Sequence, residues 1–141
     1  MHFTGGCACE AIRFEANADD APLAVCHCIP CQVSKRTASA YSLNLLVPRS
    51  AFRFTKGEEK LKTYSRVGDS GKAYHHRFCG ECGVAVLGVP DANPDMCVIK
   101  AGVLDNPQTE FAKIDMELYT TRRRTYLDSM PGSTQYEHML P

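Results

Sequence analysis

The sequence has no excess of charge of either sign and no long apolar run. Lysine and arginine together number 16, and aspartate and glutamate also number 16, in a chain of 141 residues. This balance leaves no broad electrostatic field that would attract nucleic acid, an anionic membrane or an acidic partner. No stretch approaches the roughly 20 apolar residues that a membrane span needs. We therefore expect a small-molecule partner, and neither nucleic acid nor a membrane.

The beginning of the chain lacks the features of a targeting segment. Residues 1–6 read Met-His-Phe-Thr-Gly-Gly, without the basic region and apolar run of a secretory signal. We therefore expect a cytoplasmic protein. Thiols stay reduced in that compartment, so the eight cysteines favour metal thiolates over disulfide bonds.

Helical periodicity is scarce as well. Only residues 31–37 and 121–128 can form a turn or two of helix, and neither segment carries a sustained apolar stripe. Short alternating or β-branched runs lie instead between turn-forming segments, over residues 11–16, 23–26, 40–47, 52–55, 61–67, 73–78, 84–89, 97–103 and 114–119. The sequence predicts a mostly β, single domain over residues 1–141, with little helix and an irregular tail from residue 130.

Two pairs of cysteines are suited to one closed zinc site. Cys79 and Cys82 lie in the segment Phe-Cys-Gly-Glu-Cys-Gly, whose small residues let the backbone curl so that both sulfurs face one point. Cys7 and Cys9 follow two glycines, and in an extended segment their one-residue spacer would place both side chains on the same side. Four thiolates in a tetrahedron are a usual structural zinc site. We expect Cys7, Cys9, Cys79 and Cys82 to form one.

The remaining cluster, Cys26, Cys28 and Cys31, supplies three sulfurs at short range. Three protein ligands with one open position are typical of a catalytic zinc, because that position admits water or substrate. A zinc with three thiolates is a weak Lewis acid but holds one more thiolate well, which favours chemistry on sulfur.

Other readings of the cysteines stay open. A histidine, namely His27, His75 or His76, can close the second site as a fourth ligand, and disulfides or an iron–sulfur cluster are further alternatives. Cys97 has no partner nearby in sequence and lies in an apolar run, which favours a buried core thiol over a catalytic one.

With these motifs in view, the chain resembles the glutathione-dependent formaldehyde-activating enzyme family over nearly its whole length. The resemblance depends on the motifs Gly-Cys-Ala-Cys at 6–9, Cys-His-Cys-Ile-Pro-Cys at 26–31, Lys-Gly-Glu at 56–58 with Leu61 and Tyr64, Phe-Cys-Gly-Glu-Cys-Gly at 78–83, and Ala-Gly-Val-Leu-Asp-Asn-Pro at 101–107. The family's usual glycine is replaced by Glu10, and its usual carboxyl-terminal tryptophan is absent.

The resemblance implies an Mss4-like fold of antiparallel β-sheets held by zinc. It also implies a structural zinc on Cys7, Cys9, Cys79 and Cys82 and a catalytic zinc on Cys26, Cys28 and Cys31. The family's reaction adds glutathione to formaldehyde, which is formally a carbon–sulfur lyase reaction run in reverse. The partners implied are therefore a small thiol and a small aldehyde.

Three hypotheses on function follow. In the first, a thiol such as glutathione binds the open zinc and attacks a small aldehyde, and Lys35 or Arg36 binds a carboxylate of the thiol. In the second, the chain is a non-catalytic zinc-binding module for protein interaction. In the third, it is a thiol redox enzyme that uses Cys97. The sequence names no general base and leaves the oligomeric state open.

Overall fold

The chain folds into two β-sheets that pack face to face. In the computed structural model, the described residues are 1–35, 39–106, 111 and 113–141, with the backbone alone at 34 and 35. The strands are β1 His2–Gly6, β2 Arg13–Asn17, β3 Leu23–Cys26, β4 Ser42–Pro48, β5 Phe52–Lys56, β6 Leu61–Val67, β7 Ala73–Cys79, β8 Ala85–Pro90, β9 Met96–Lys100, β10 Met116–Leu118 and β11 Thr134–Gln135. One α-helix, α1, spans Ile29–Lys35, and 3₁₀ turns span Arg49–Ala51, Glu58–Lys60, Ala101–Val103 and Thr120–Arg122.

The small sheet has the order β1-β2-β5, and the large sheet has the order β11-β10-β3-β4-β9-β8-β7-β6. All neighbours pair antiparallel except β10, which runs parallel to both β3 and β11. The prediction of a mostly β fold with little helix is confirmed. No helix in the described part of the chain is both long and apolar enough to cross a membrane.

The core lies between the two sheets. Phe14 and Ile12 from the small sheet's side pack into the same buried cluster as Leu45, Val47 and Ile99 from the large sheet. Because side chains alternate along a strand, the intervening residues of the large sheet point the other way. We call the side that packs on the small sheet the core face, and the opposite side, which α1 covers in part, the second face.

The second face has its own smaller buried cluster. Ala24 and Leu118 pack there with three cysteine side chains, those of Cys26, Cys28 and Cys31. The large sheet is therefore covered on both sides near β3, which explains why every residue of that strand is buried.

Some elements have the bounds that the sequence predicts, and others differ. The predicted bounds of β3 and β6 coincide with the observed ones, whereas β1 and the two-residue β11 were not predicted. Over residues 121–128, where a turn or two of helix was expected, a single 3₁₀ turn forms at Thr120–Arg122, and Arg123 has non-helical backbone angles of φ −57° and ψ 132°. A longer helix does not form because this segment has no apolar face whose burial would stabilise it. The strand predicted over 97–103 ends at Lys100 and continues as a 3₁₀ turn.

Glu117 on β10 fastens the carboxyl-terminal tail to the large sheet. Its side chain is fully buried. One carboxylate oxygen lies 2.9 Å from Nε2 of His27. The other accepts hydrogen bonds from the Met130 N–H at 2.8 Å, the Ser133 hydroxyl at 3.0 Å and the Gln135 amide at 2.6 Å. Burial acts to raise the pKa of Glu117, but these hydrogen bonds, led by Gln135 and His27, overcome it and lower the pKa to about 2.

We predict that Glu117→Gln lowers the free energy of unfolding near neutral pH by roughly 3 kcal/mol, because about two pKa units of stabilisation are removed. The usual glutamate pKa is 4.5, so the carboxylate stabilises the fold fully above that pH and loses its effect as the pH falls toward its folded pKa of about 2. Urea denaturation of both proteins at several pH values should therefore show a difference that shrinks below about pH 4.5.

The control is Glu15→Gln, which removes an ion pair with the exposed Arg53. That change should cost less than about 1 kcal/mol at any pH. A Glu117→Gln difference that stayed constant from neutral to acidic pH would contradict the assignment.

Candidate metal centres

The first centre joins the two sheets through four cysteines. Cys7 and Cys9 lie in the connection between β1 and β2, whereas Cys79 ends β7 and Cys82 lies in the connection between β7 and β8. Their four sulfurs all lie within 4.8 Å of one another. Residues about seventy positions apart in sequence therefore meet at one point.

The spacing of these sulfurs suits zinc. The Sγ atoms of Cys7 and Cys9 are 3.6 Å apart, and those of Cys9 and Cys79 are 3.8 Å apart. Zn–S bonds of ~2.3 Å in a tetrahedron give sulfur–sulfur edges of about 3.8 Å. The four-sulfur cluster can therefore hold a zinc ion with little movement.

Backbone N–H groups stabilise the negative charge of these sulfurs. The Ile12 N–H lies 3.3 Å from Sγ of Cys7, and the Glu81 N–H lies 3.3 Å from Sγ of Cys79. Burial acts to raise the pKa of Cys7, but the Ile12 N–H and the neighbouring thiols lower it overall. The pKa of Cys82 is lowered to about 6, mainly by a hydrogen bond from the Val84 backbone. Ionised thiols are the form that binds metal.

The extended geometry predicted for Cys7 and Cys9 is wrong. A turn closed by the Glu10 N–H on the Cys7 carbonyl, at 3.1 Å, brings the two sulfurs together. Glu10 takes a left-handed backbone conformation, with φ 62°. This conformation favours glycine, so Glu10 takes it at a cost in backbone strain.

The second centre is the cysteine trio, Cys26, Cys28 and Cys31. Cys26 ends β3, and Cys31 lies in the first turn of α1. The three sulfurs lie within 4.8 Å of one another, and Cys28 and Cys31 are 3.0 Å apart. This last distance is shorter than the edge of a zinc–sulfur tetrahedron, so the two sulfurs would have to move apart to bind zinc. The case for a metal site here is that three thiols lie together, since three such groups can hold a metal ion.

A polar chain connects Cys31 to a buried lysine. The Ser42 hydroxyl donates to Sγ of Cys31 at 3.1 Å, and the Asn44 amide donates to the Ser42 hydroxyl at 2.9 Å. Lys100 Nζ donates to Oδ1 of Asn44 at 2.8 Å, and Lys100 is only 8% exposed. Hydrogen bonds from Cys26 and Cys28 lower the pKa of Cys31 against the effect of burial, and the charge of Lys100 and the Ser42 hydroxyl lower it further. One thiolate of the trio is therefore stabilised by the protein itself.

None of the three candidate histidines joins the trio. His27 is fully buried but turns to Glu117. His75 and His76 point to opposite faces of β7: His75 contacts Ser65 and Asp91, whereas His76 accepts a hydrogen bond from Arg66 at 3.1 Å. Among the described residues, only three metal-ligating side chains belong to this cluster.

Tyr74 lies on the second face, within range of the charge of Cys31. Its ring covers Gly88, where an added Cβ would lie 1.8 Å from the tyrosine hydroxyl oxygen. The Tyr74 hydroxyl has no hydrogen-bond partner among the described residues. Burial and then the negative charge of Cys31 raise the pKa of Tyr74, so the hydroxyl keeps its proton. The Arg66 guanidinium stacks on the same ring at 5.1 Å from its centroid.

Cys97 lies on the core face of β9 and is 2% exposed. Burial raises its pKa, against the positive charges of Arg49 and Arg77. A nucleophilic cysteine needs the opposite shift, so this position favours a core thiol.

Sequence reasoning missed Ser42, Asn44, Lys100, Tyr74 and Arg66. One signal was available: Ser42 and Asn44 are polar residues at alternate positions of an otherwise apolar strand, which indicates that one side of β4 serves a polar site. Lys35 and Arg36 were predicted to bind a carboxylate. Arg36 and the side chain of Lys35 lie outside the part of the chain that the structure describes.

Together, the fold and the two clusters define a class of mostly β proteins whose cysteine clusters can hold metal ions, consistent with zinc. The family model of the glutathione-dependent formaldehyde-activating enzymes matches residues 2–122, and the chain belongs to this family. The crystal structure of a Rhodobacter sphaeroides protein, determined as a structural genomics target, is similar to the chain with a TM-score of 0.60 and 22% identity. The similarity covers 79% of this chain and 96% of that one, and it shows that the fold is shared.

We predict that the two clusters respond differently to substitution. Cys79→Ser should remove one zinc per chain and lower the melting temperature strongly, because the four-sulfur cluster joins the two sheets. Cys28→Ser should remove the other zinc with a smaller loss of stability, because the trio is local in sequence. Metal analysis and thermal unfolding of each purified variant measure both effects, with Cys97→Ser as the control that should keep both metals. Equal losses of stability in the two ligand variants would contradict this assignment.

Proposed function

We propose that the protein is a zinc-dependent enzyme that adds a thiol such as glutathione to formaldehyde or a similar small aldehyde. Formally this is a carbon–sulfur lyase reaction run in reverse. The observation that carries the proposal is the difference between the clusters. One has four sulfurs, whereas the trio has three and, among the described residues, no fourth protein ligand. Family membership supports the choice of thiol and aldehyde.

Zinc bound to the trio would supply a site where an incoming thiol ionises at neutral pH. The chain's own residues prepare that site for negative charge. Cationic Lys100 acts on the trio through Asn44 and Ser42, and the Cys31 N–H lies 3.3 Å from Sγ of Cys28. These groups stabilise a cluster of thiolates that would otherwise repel a further anionic sulfur.

Tyr74 is the donor that we assign to the aldehyde oxygen. When the thiolate sulfur forms its bond to the carbonyl carbon, the π-electron pair moves to the oxygen, which then takes up a proton. A protonated hydroxyl without a partner, close to the charge of Cys31, suits hydrogen bonding to that oxygen as charge develops there. The Arg66 guanidinium stacks on the Tyr74 ring, donates a hydrogen bond to His76 and adds positive charge to this face.

The competing hypotheses predict different behaviour at the trio. A non-catalytic binding module would show no change in the metal's ligands when a small thiol is added. A redox enzyme that uses Cys97 conflicts with the burial and raised pKa of that thiol.

The test is X-ray absorption at the zinc edge of zinc-loaded protein, titrated with glutathione. We expect two zinc ions per chain and a gain in the average sulfur count, and formaldehyde turnover above the uncatalysed reaction. Cys28→Ser should abolish both the gain and the turnover. A stoichiometry of one zinc, or an unchanged sulfur count on titration, would rule out the proposed enzyme and favour the binding module.

We further predict that Tyr74→Phe lowers kcat for formaldehyde by roughly ten- to a hundredfold, because one hydrogen bond to developing charge is lost. Zinc content and the glutathione-dependent change at the zinc edge should stay as in the unaltered protein. Gly88→Ala should cause a similar loss by displacing the Tyr74 ring. Tyr126→Phe is the matched control, since Tyr126 is 77% exposed and should tolerate the change. Full activity in Tyr74→Phe would contradict the assignment of this hydroxyl.

A further inference from the structure

A cavity of about 400 Å³ lies on the core face of the large sheet, on the side of β9 that points away from the trio. It lies between β5 of the small sheet and β7, β8 and β9 of the large one. Its volume is within the ~300–1,000 Å³ of small-molecule pockets. The cysteine trio belongs to the other face, so this cavity is separate from the site of the proposed reaction.

The cavity is lined by more cations than anions. Arg49, Arg53 and Arg77 line it together with one acidic residue, Glu58. Glu58 forms no ion pair with any described residue, and its single negative charge offsets only part of the charge of the three guanidinium groups. Cys97 also lines the cavity. The positive charges of Arg49 and Arg77 both act to lower its pKa, so the two guanidinium groups lie on the same side of the cavity as this thiol.

The three arginines differ in how their guanidinium groups are occupied. Arg53 is bound to Glu15, with its Nε 2.8 Å from the carboxylate. Arg49 makes one long hydrogen bond to the Pro94 carbonyl, at 3.5 Å. Arg77 is half-buried and stacks on Phe54 at 5.8 Å, with no hydrogen bond or ion pair to any described residue. Two guanidinium groups are therefore available to a ligand, and a planar fork of N–H donors matches a carboxylate.

The rest of the lining is apolar. Phe52, Phe54, Leu87 and Val89 face the same cavity as the arginines. An inorganic anion would leave these side chains unused, whereas a hydrocarbon chain can bury against them.

We propose that this cavity is a binding site for a small organic carboxylate with an apolar body, whose carboxylate lies between Arg49 and Arg77 and whose hydrocarbon part packs against Phe52 and Phe54. The site does not depend on the proposed thiol chemistry, because it occupies the opposite face of the sheet.

The test is isothermal titration of the zinc-loaded full chain with octanoate, butanoate, octanol and inorganic phosphate as separate probes. We expect octanoate to bind one per chain and to bind more tightly than butanoate, by about fourfold for each additional methylene that is buried. Octanol and phosphate should bind far more weakly, because octanol has no carboxylate for the arginines and phosphate has no hydrocarbon chain for the apolar side chains. Binding of phosphate or octanol as tight as that of octanoate, or no binding of octanoate, would overturn the proposal.

Three variants locate the site. Arg77→Gln and Arg49→Gln should each weaken octanoate binding by at least about tenfold, since each removes a charge-assisted contact. Arg53→Gln is the matched control, because its guanidinium is already bound to Glu15, and it should change binding by less than about twofold. Zinc content and the melting temperature of each variant show that it is folded.

The trio variant Cys28→Ser separates this site from the proposed active site. It should retain octanoate binding while it loses formaldehyde turnover. Loss of octanoate binding in Cys28→Ser, or unchanged binding in both Arg77→Gln and Arg49→Gln, would show that octanoate binds elsewhere and would overturn the assignment.

Discussion

The meeting of four thiols from two distant connections is the constraint on which the rest of the structure depends. Cys7 and Cys9 connect two strands of the small sheet, and Cys79 and Cys82 lie where two strands of the large sheet are connected, so one ion can hold both sheets at one end. Fixing that point closes a chain segment of about seventy residues and turns the apolar side of β2 toward β4 and β9. The buried cluster around Phe14 and Ile99 lies between these two surfaces.

The two clusters manage negative charge in different ways. Backbone N–H groups surround the four-sulfur cluster, and they are fixed in place by tight turns. The trio receives one backbone N–H, that of Cys31, and is otherwise stabilised by side chains, the Ser42 hydroxyl and the Asn44 amide that extend to Lys100. Backbone groups in tight turns suit a rigid structural site, whereas the charge that stabilises the trio comes from a buried lysine through two hydrogen-bonding side chains. This difference agrees with the roles that we propose for the two sites.

Much of the fold could be predicted from local patterns, and much of the site could not. The bounds of β3 and β6 follow from short apolar or alternating runs between turn residues. β1 was missed because its Gly5 and Gly6 have low β-propensity, and it forms because it pairs with β2. The spacing of the cysteines indicated two clusters, because ligands close in sequence are close in space. Lys100 was missed because only the order of the strands in the large sheet places β9 beside β4. Tyr74 was missed because it lies on β7, which is not next to β3 or β4, and its side chain reaches across Gly88 of β8.

Alternate residues of β9 serve opposite sides of the large sheet. Cys97 faces the arginine-lined cavity, and Lys100 faces the chain of groups that ends at Cys31. Since side chains alternate with a period of two, deleting one residue within this strand would exchange the two sides. A lysine would then enter the apolar core, and the trio would lose its buried cation. We therefore expect natural variants of this protein to accept substitutions along β9 far more readily than any change in its length.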